Sequence, residues 1–486
     1  MSNNTKSKVI SGFIWRYAER CGAQIVGFVV SVILARLLEP SVYGTIALVT
    51  VFIGILQVFM DSGLGESLVQ KKNADDLDFS TVFYVNVLFC VAVYILLFLA
   101  APFIAEFYKD PQLTPVIRVL GITMLISGVK GIQQSYVAKK MIFKRFFFAT
   151  LGGTITAAVI GIWMAYNGFG VWALVAQTLI NNFIDTTVLW VTVKWRPKKL
   201  FSFKRLKGLY SYGWKMLVSQ LISKIYGDIR QLIIGKLYSA SDLAFYNKAK
   251  SFPLLIINNI NASIDSVLLP AMANEQDERE HVKNMMRRTM MTSIYIMAPL
   301  MMGLAFVSTP LIRLLLTEKW LPSAPFLAIF CITYMFYPVH TANLNAIKAL
   351  GRSDIFLKLE ILKIAIGTIV LVSVMWFGVM AMAYSLLFTT VTSQIINSWP
   401  NKKLLGYSYI QQLKDIVPSI LLAAFMGVCV YFIQFIGLPD IITLAIQVPL
   451  GAAIYIAGSK LLKLEAFYYV WDTLKSMLEK ITKKKV

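Results

Sequence analysis

What this chain lacks is charge. Only 15% of its 486 residues are Asp, Glu, Lys or Arg, against about 25% in ordinary soluble domains. Polar linkers are missing too, although a soluble chain of this length should divide into several domains joined by them. Histidine is nearly absent. His281 and His340 stand alone, too few and too far apart to build a metal centre. The four cysteines (Cys21, Cys90, Cys331, Cys429) lie in apolar stretches without a CxxC spacing, which reads as inert buried thiols. No glycine-rich nucleotide loop, zinc spacing or nucleophile elbow occurs. These absences predict no metal, no cofactor and no enzyme. Any transport must run on an ion gradient or on the substrate's own gradient.

What is present is hydrophobicity. Apolar residues make up 57% of the chain, in runs of about 20 residues that suit a hydrocarbon core about 30 Å thick. The spans fall near 9–35, 42–60, 79–104, 113–135, 147–166, 169–193, 209–236, 244–272, 289–316, 323–349, 355–376, 379–398, 413–436 and 441–461. The fold class is therefore an all-α polytopic membrane protein with about fourteen transmembrane helices. MSNNTKSKVISGF leads into a long apolar run without a cleavage site, so the first span reads as uncleaved.

The net charge of +22 is not a nucleic-acid footprint, because the basic residues sit in alternate loops. Odd-numbered connections carry about eight of the 47 Lys and Arg, whereas the termini and even-numbered connections carry about 33. The run from Lys194 to Lys207 alone holds seven. The chain reads as an inner-membrane protein, and this asymmetry places both of its termini in the cytoplasm. Beyond the last span, Leu464, Phe467, Trp471, Leu474, Leu478 and Ile481 recur at helical steps among lysines. Residues 462–486 thus read as a basic amphipathic cytoplasmic tail, with a solvated tail as the simpler alternative.

The chain also repeats itself. FGVWALV (Phe169 to Val175) matches FGVMAMA (Phe377 to Ala383) at an offset of 208. Ala138 and Lys140 match Ala346 and Lys348 at the same offset. Ser11, Gly27 and Leu37 match Ser211, Gly227 and Leu237 at 200, and Asp61-Ser62 matches Asp265-Ser266 at 204. Six spans per repeat is an even number. The halves should then share one orientation, related by a pseudo-two-fold axis normal to the membrane. The predicted organisation is an N-lobe over 1–207, a C-lobe over 208–412, two extra helices over 413–461, and the tail. Two such lobes describe a rocker that opens to alternate sides.

Charges inside spans carry the functional signal, because each costs roughly 2.5–3.5 kcal/mol on insertion scales. Arg16, Arg20 and Gln24 line one face of the first span. The equivalent seventh span carries Lys215, Lys224, Asp228 and Arg230, with Lys224 and Asp228 four residues apart and able to pair. The functional reading is a cationic, water-filled cavity between the lobes. The simpler reading for Arg16 and Lys215 is snorkelling to headgroups. Arg230 reads as a residue of the outer mouth. Asp61 and Asp265 end the second and eighth spans, either as solvated helix stops or as gating or ion-coupling groups; Asp228 joins them in that role. Asp185, Glu360 and Lys363 read as pairs within a lobe.

The stretches FIWRYAERCGAQIVGFVVSVILARLLEPSVYGTIAL, MDSGLGESLVQKK and YVAKKMIFKRFF resemble the Wzx-type lipid-linked oligosaccharide flippases. These belong to the multidrug/oligosaccharidyl-lipid/polysaccharide exporter superfamily, and the likeness is to its colanic-acid and teichuronic-acid type exporters. The resemblance covers essentially the whole chain and is strongest over 9–150. It implies translocation of an undecaprenyl-diphosphate-linked oligosaccharide from the cytoplasmic to the outer leaflet. Arg16, Arg20, Lys215 and Lys224 would grip the diphosphate. The implied partners are that lipid, membrane lipids and a polysaccharide polymerase, with the chain acting as a monomer. An ion-coupled drug exporter of the same superfamily is the alternative, but it would favour a carboxylate-rich cavity. A glycan polymerase or ligase would need a sizeable external loop, and a passive scaffold leaves the charged faces unexplained.

Overall fold

The computed structural model describes residues 3–60 and 64–483, and all regular elements among them are helical. Packing divides the chain into two compact units, Met1–Ala244 and Phe245–Val486. The first contains α1 (Asn3–Leu37), α2 (Pro40–Met60), α3 (Leu64–Gln70), α4 (Asp76–Tyr108), α5 (Leu113–Leu120), α6 (Ile122–Lys140), α7 (Lys144–Tyr166), α8 (Val171–Thr192) and α9 (Phe203–Leu237). α10 (Ala240–Asn274) leads into the second unit. There follow α11 (Arg279–Phe306), α12 (Ser308–Leu316), α13 (Ala324–Tyr334), α14 (Tyr337–Ala349), α15 (Ser353–Val374), α16 (Val379–Leu405), α17 (Tyr409–Tyr431), α18 (Asp440–Leu461) and α19 (Glu465–Lys483).

Among the described residues, ten helical segments are long and apolar enough to cross a membrane. The other four expected spans are present as helices but fall outside that set. They are the polar ones: α1 with Arg16, Glu19 and Arg20; α8 with Asn181, Asn182 and Asp185; α9 with Lys224, Asp228 and Arg230; α15 with Lys358, Glu360 and Lys363. Three expected spans are broken helices. They are α5–α6 around Gly121, α11–α12 at Val307, and α13–α14 at Met335 and Phe336. The repeat is visible in helix boundaries. α1 and α9 end at Leu37 and Leu237, and their successors begin at Pro40 and Ala240. α8 and α16 begin at Val171 and Val379, each after a glycine with positive φ, Gly170 at 55° and Gly378 at 103°, a conformation open to glycine and costly for other residues.

Unit 1 is built on close helix contacts. α7 runs against α8 at Gly153, where a Cβ would stand 2.8 Å from the Asn181 carbonyl oxygen. α1 packs on α7, and Thr150 Oγ1 donates to Glu19 Oε1 at 3.2 Å. That bond gives a carboxylate, which stands between Arg16 and Arg20 in sequence, a partner on α7. α9 lies along α2, and Tyr108 of α4 donates to the Leu232 carbonyl at 3.3 Å. Packing therefore places α9 in unit 1, whereas the repeat begins a new half at 208.

The acidic start of α4 clasps the basic stretch before α9. Asp75 and Asp78 form a reciprocal capping box. Asp78 is wholly buried and meets Lys71 Nζ at 2.6 Å and Arg205 Nη1 at 3.1 Å. Arg205 also meets Asp75 at 2.8 Å, and Lys198 meets Asp76 at 2.6 Å. The Asp78 backbone N–H, with Arg205 beside it, holds the Asp75 carboxyl below the usual carboxylate range. The backbone N–H groups of Lys198 and Ser202 donate to Ser80 Oγ and Thr81 Oγ1 at 3.0 and 3.1 Å. The most basic loop is thus tied down at several points.

Unit 2 is centred on α11, whose Met286, Met290, Ile294, Met297 and Met301 are fully buried. The amphipathic C-terminal helix expected from the sequence is α19. Arg287 of α11 bridges Asp415 of α17 at 3.0 Å and Glu465 of α19 at 2.8 Å. Phe467 stacks on Trp471 with centroids 6.1 Å apart. The first turn of α19 is therefore docked on protein.

Candidate functional site

α9 carries Lys224, Asp228 and Gln231 at steps of four and three, which places them on one helix face. Lys224 Nζ lies 2.8 Å from Asp228 Oδ2, with the two side chains 39% and 13% exposed. Gln231 Nε2 donates to Asp228 Oδ1 at 2.9 Å. The lysine lies against Gly54 of α2, where a Cβ would stand 2.9 Å from its Cε. A side chain at residue 54 would displace the ammonium. The carboxylate is the more buried partner and has a second donor in Gln231. Lys224 can therefore swing to an incoming anion while Asp228 keeps one hydrogen bond. An ammonium so placed can exchange its carboxylate for another oxyanion.

Two residues beyond Asp228, and so off that face, Arg230 is only 6% exposed, and its Nε and Nη2 have no hydrogen-bond partner among the described residues. Its assignment to an outer mouth did not foresee that burial. The other expected site residues are less closely defined. Arg16 and Arg20 lie on α1 and Lys215 on α9, but their side chains are outside the described set, as is the whole of Asp61. Asp265, on α10, accepts from Asn345 Nδ2 of α14 at 2.7 Å. Among the expected site residues whose side chains are described, Lys224 and Asp228 are brought together.

Other polar contacts were partly missed. Lys130 of α6 meets Asp185 Oδ2 of α8 at 3.0 Å and donates to Asn182 Oδ1 at 3.3 Å. The signal was a lone lysine and a lone aspartate in two neighbouring spans. Glu360 and Lys363 pair at 2.6 Å, within one half as read from the sequence. Exposed Glu275, Glu278 and His281 bring potential ligand atoms within 4.8 Å of one another. His281 Nδ1 already contacts Glu278 at 3.0 Å, an ordinary helix-start pairing.

The profile of the family described as polysaccharide biosynthesis protein matches residues 33–325. The chain belongs to that family. Within this polysaccharide biosynthesis protein the matched stretch takes in Lys215, Lys224, Asp228 and Asp265, while Arg16 and Arg20 precede it. The chain is 25% identical over 449 residues to the teichuronic acid biosynthesis protein TuaB of Bacillus subtilis (strain 168), covering 89% of this chain and 90% of that one. It is 23% identical over 420 residues to the lipopolysaccharide biosynthesis protein WzxC of Escherichia coli (strain K12), covering 84% of each. Its fold is shared with an inward-closed lipid II flippase, MurJ, at a TM-score of 0.77 and 15% identity, over 93% of this chain and 98% of that one. The chain thus shares its all-helical fold with that flippase, and ten helical segments among its described residues are long and apolar enough to cross a membrane.

Proposed function

We propose that this protein is a flippase that carries undecaprenyl-diphosphate-linked oligosaccharide from the cytoplasmic to the outer leaflet by alternating access, and not an enzyme. Membership of the polysaccharide biosynthesis family carries the reading. The relatives named for teichuronic acid and lipopolysaccharide biosynthesis support it, as does the fold held in common with a lipid II flippase. The headgroup of such a lipid is too polar to cross hydrocarbon unaided. Lys224, with Arg16, Arg20 and Lys215, grips the diphosphate, and Asp228 holds Lys224 between cycles. Asp61 and Asp265 serve gating or ion coupling. The repeat divides the chain into six-helix halves over 1–207 and 208–412, followed by two further spans, fourteen in all. The protein works as a monomer and hands its cargo to a polysaccharide polymerase.

Deletion of the gene is expected to abolish surface polysaccharide and to accumulate lipid-linked repeat units on the cytoplasmic side. Repeat units that still reached an external glycan-modifying reagent at the wild-type rate would overturn the reading. Orientation rests on the charge asymmetry of the loops. An impermeant thiol reagent should label a cysteine placed at Asn167 in intact cells and miss one at Ser202. The opposite pattern would reverse the topology.

A further inference from the structure

Unit 1 contains two adjoining cavities of opposite character. The first, about 440 Å³, is lined by Phe59, Phe89, Phe203, Leu206 and Leu217, with Lys207 as the one charged residue among its described lining. The second, about 290 Å³, is lined by Gln57, Ser127, Gln134, Ser135 and Gln220, with no charged side chain among its described lining residues. Leu64 and Asn86 line both. The larger cavity falls in the usual range for small-molecule sites, about 300–1,000 Å³.

The polar chamber has unspent hydrogen-bonding capacity. The side chains of Gln57, Ser127, Gln134 and Gln220 have no hydrogen-bond partner among the described residues. All four are half-buried, so their amides and hydroxyl are open to whatever fills the chamber. Asn86 spends its Nδ2 on the Gly128 carbonyl at 3.0 Å, which ties α4 to α6. Gly65 brings α3 against α6, where a Cβ would stand 2.8 Å from Ser135 Oγ. The chamber therefore has walls built from closely packed helices.

We infer that the two cavities form one loading site for a lipid-linked saccharide, distinct from the Lys224–Asp228 pair. The hydrocarbon chain lies in the apolar groove, the sugar hydroxyls meet the glutamines and serines, and Lys207 faces the linking phosphate. The chemistry of the lining selects this occupant. Amides donate and accept in the same side chain, as hydroxyl groups do. An ion in the chamber would lose its hydration without a countercharge. A phospholipid also brings a phosphate, but with at most a short head that leaves most of these amides and hydroxyls unmatched. The site also lies where the basic stretch before α9 is clasped to α4, the end read as cytoplasmic, where a flippase must load. The inference rests on the flippase reading and adds a second place on the protein for the same substrate.

The test uses the full-length protein in nanodiscs and two photoactivatable probes. One is a polyprenyl-diphosphate disaccharide with a diazirine in its chain, and the other is phosphatidylglycerol labelled in the same way. The saccharide probe should crosslink to residues within 85–89 and 203–217, and excess unlabelled glycolipid should compete. Val85 also lines the apolar groove, and Val85→Trp, which fills it, should remove that crosslink. Gln134→Leu and Gln220→Leu should each weaken binding up to about tenfold through lost hydroxyl contacts, with melting temperature unchanged for at least one of them. Saturable binding that crosslinks elsewhere would overturn this site and leave the flippase reading standing. No saturable binding anywhere would count against both. Equal, uncompeted labelling by phosphatidylglycerol would reduce the groove to a place for bulk lipid.

Discussion

Lys224→Ala should cut glycan export about ten- to a hundredfold, because a charge-assisted contact is worth about 1.5–3 kcal/mol and about 1.4 kcal/mol is a factor of ten. The substitution has a second consequence, since it leaves the Asp228 carboxylate, 13% exposed, with Gln231 as its remaining partner. Loss of export alone would therefore not separate a grip on the substrate from neutralisation of Asp228. The double variant Lys224→Ala/Asp228→Ala separates them, because it removes the stranded charge as well. A substrate-gripping lysine predicts that the double variant regains normal membrane abundance and still fails to export. A lysine that only neutralises Asp228 predicts recovered export. Lys224→Arg should retain most activity if its longer side chain still fits over Gly54. Export is read as surface polysaccharide per unit of membrane protein, and wild-type export from Lys224→Ala would end the proposal.

The helical, membrane-spanning character was legible because hydrocarbon imposes length and composition on each span. The Lys224–Asp228 contact was legible too, since a four-residue step on a helix settles proximity before any tertiary packing is known. Interruptions were not. Gly121, Val307 and Met335 sit inside stretches apolar enough on average to read as single spans, and hydropathy averages across a break. The clasp of Arg205 and Lys71 on Asp78 was hidden for a different reason. The basic stretch 194–207 is a topology signal when counted, but its partners lie more than a hundred residues earlier. The two-part cavity was hidden as well. Gln57, Gln134 and Gln220 are uncharged and far apart in sequence, so a search for charges inside spans passes over them.

The pair between Lys130 and Asp185 supports the second large expectation. Lys130→Ala should destabilise the protein by about 3–5 kcal/mol, the cost of removing one member of a buried ion pair. Both side chains are largely shielded, at 13% and 14% exposure, so solvent offers the remaining carboxylate little compensation. Asn182 cannot take over, because it contributes its Oδ1 to the lysine and spends its Nδ2 on the Thr178 carbonyl. A loss of this size is a large part of the 5–15 kcal/mol that holds most proteins folded. It should appear as a clear drop in melting temperature in detergent and as reduced membrane abundance. Asp185→Ala should behave alike, whereas Lys130→Met/Asp185→Leu should recover much of the loss, since apolar replacements leave no buried charge. An unchanged melting temperature in both single variants would show that water or lipid headgroups reach the pair. The double variant also decides what the pair is for. If α6 and α8 need only to be held together, it exports normally; if the Asp185 carboxylate takes up an ion during transport, it is stable and inactive.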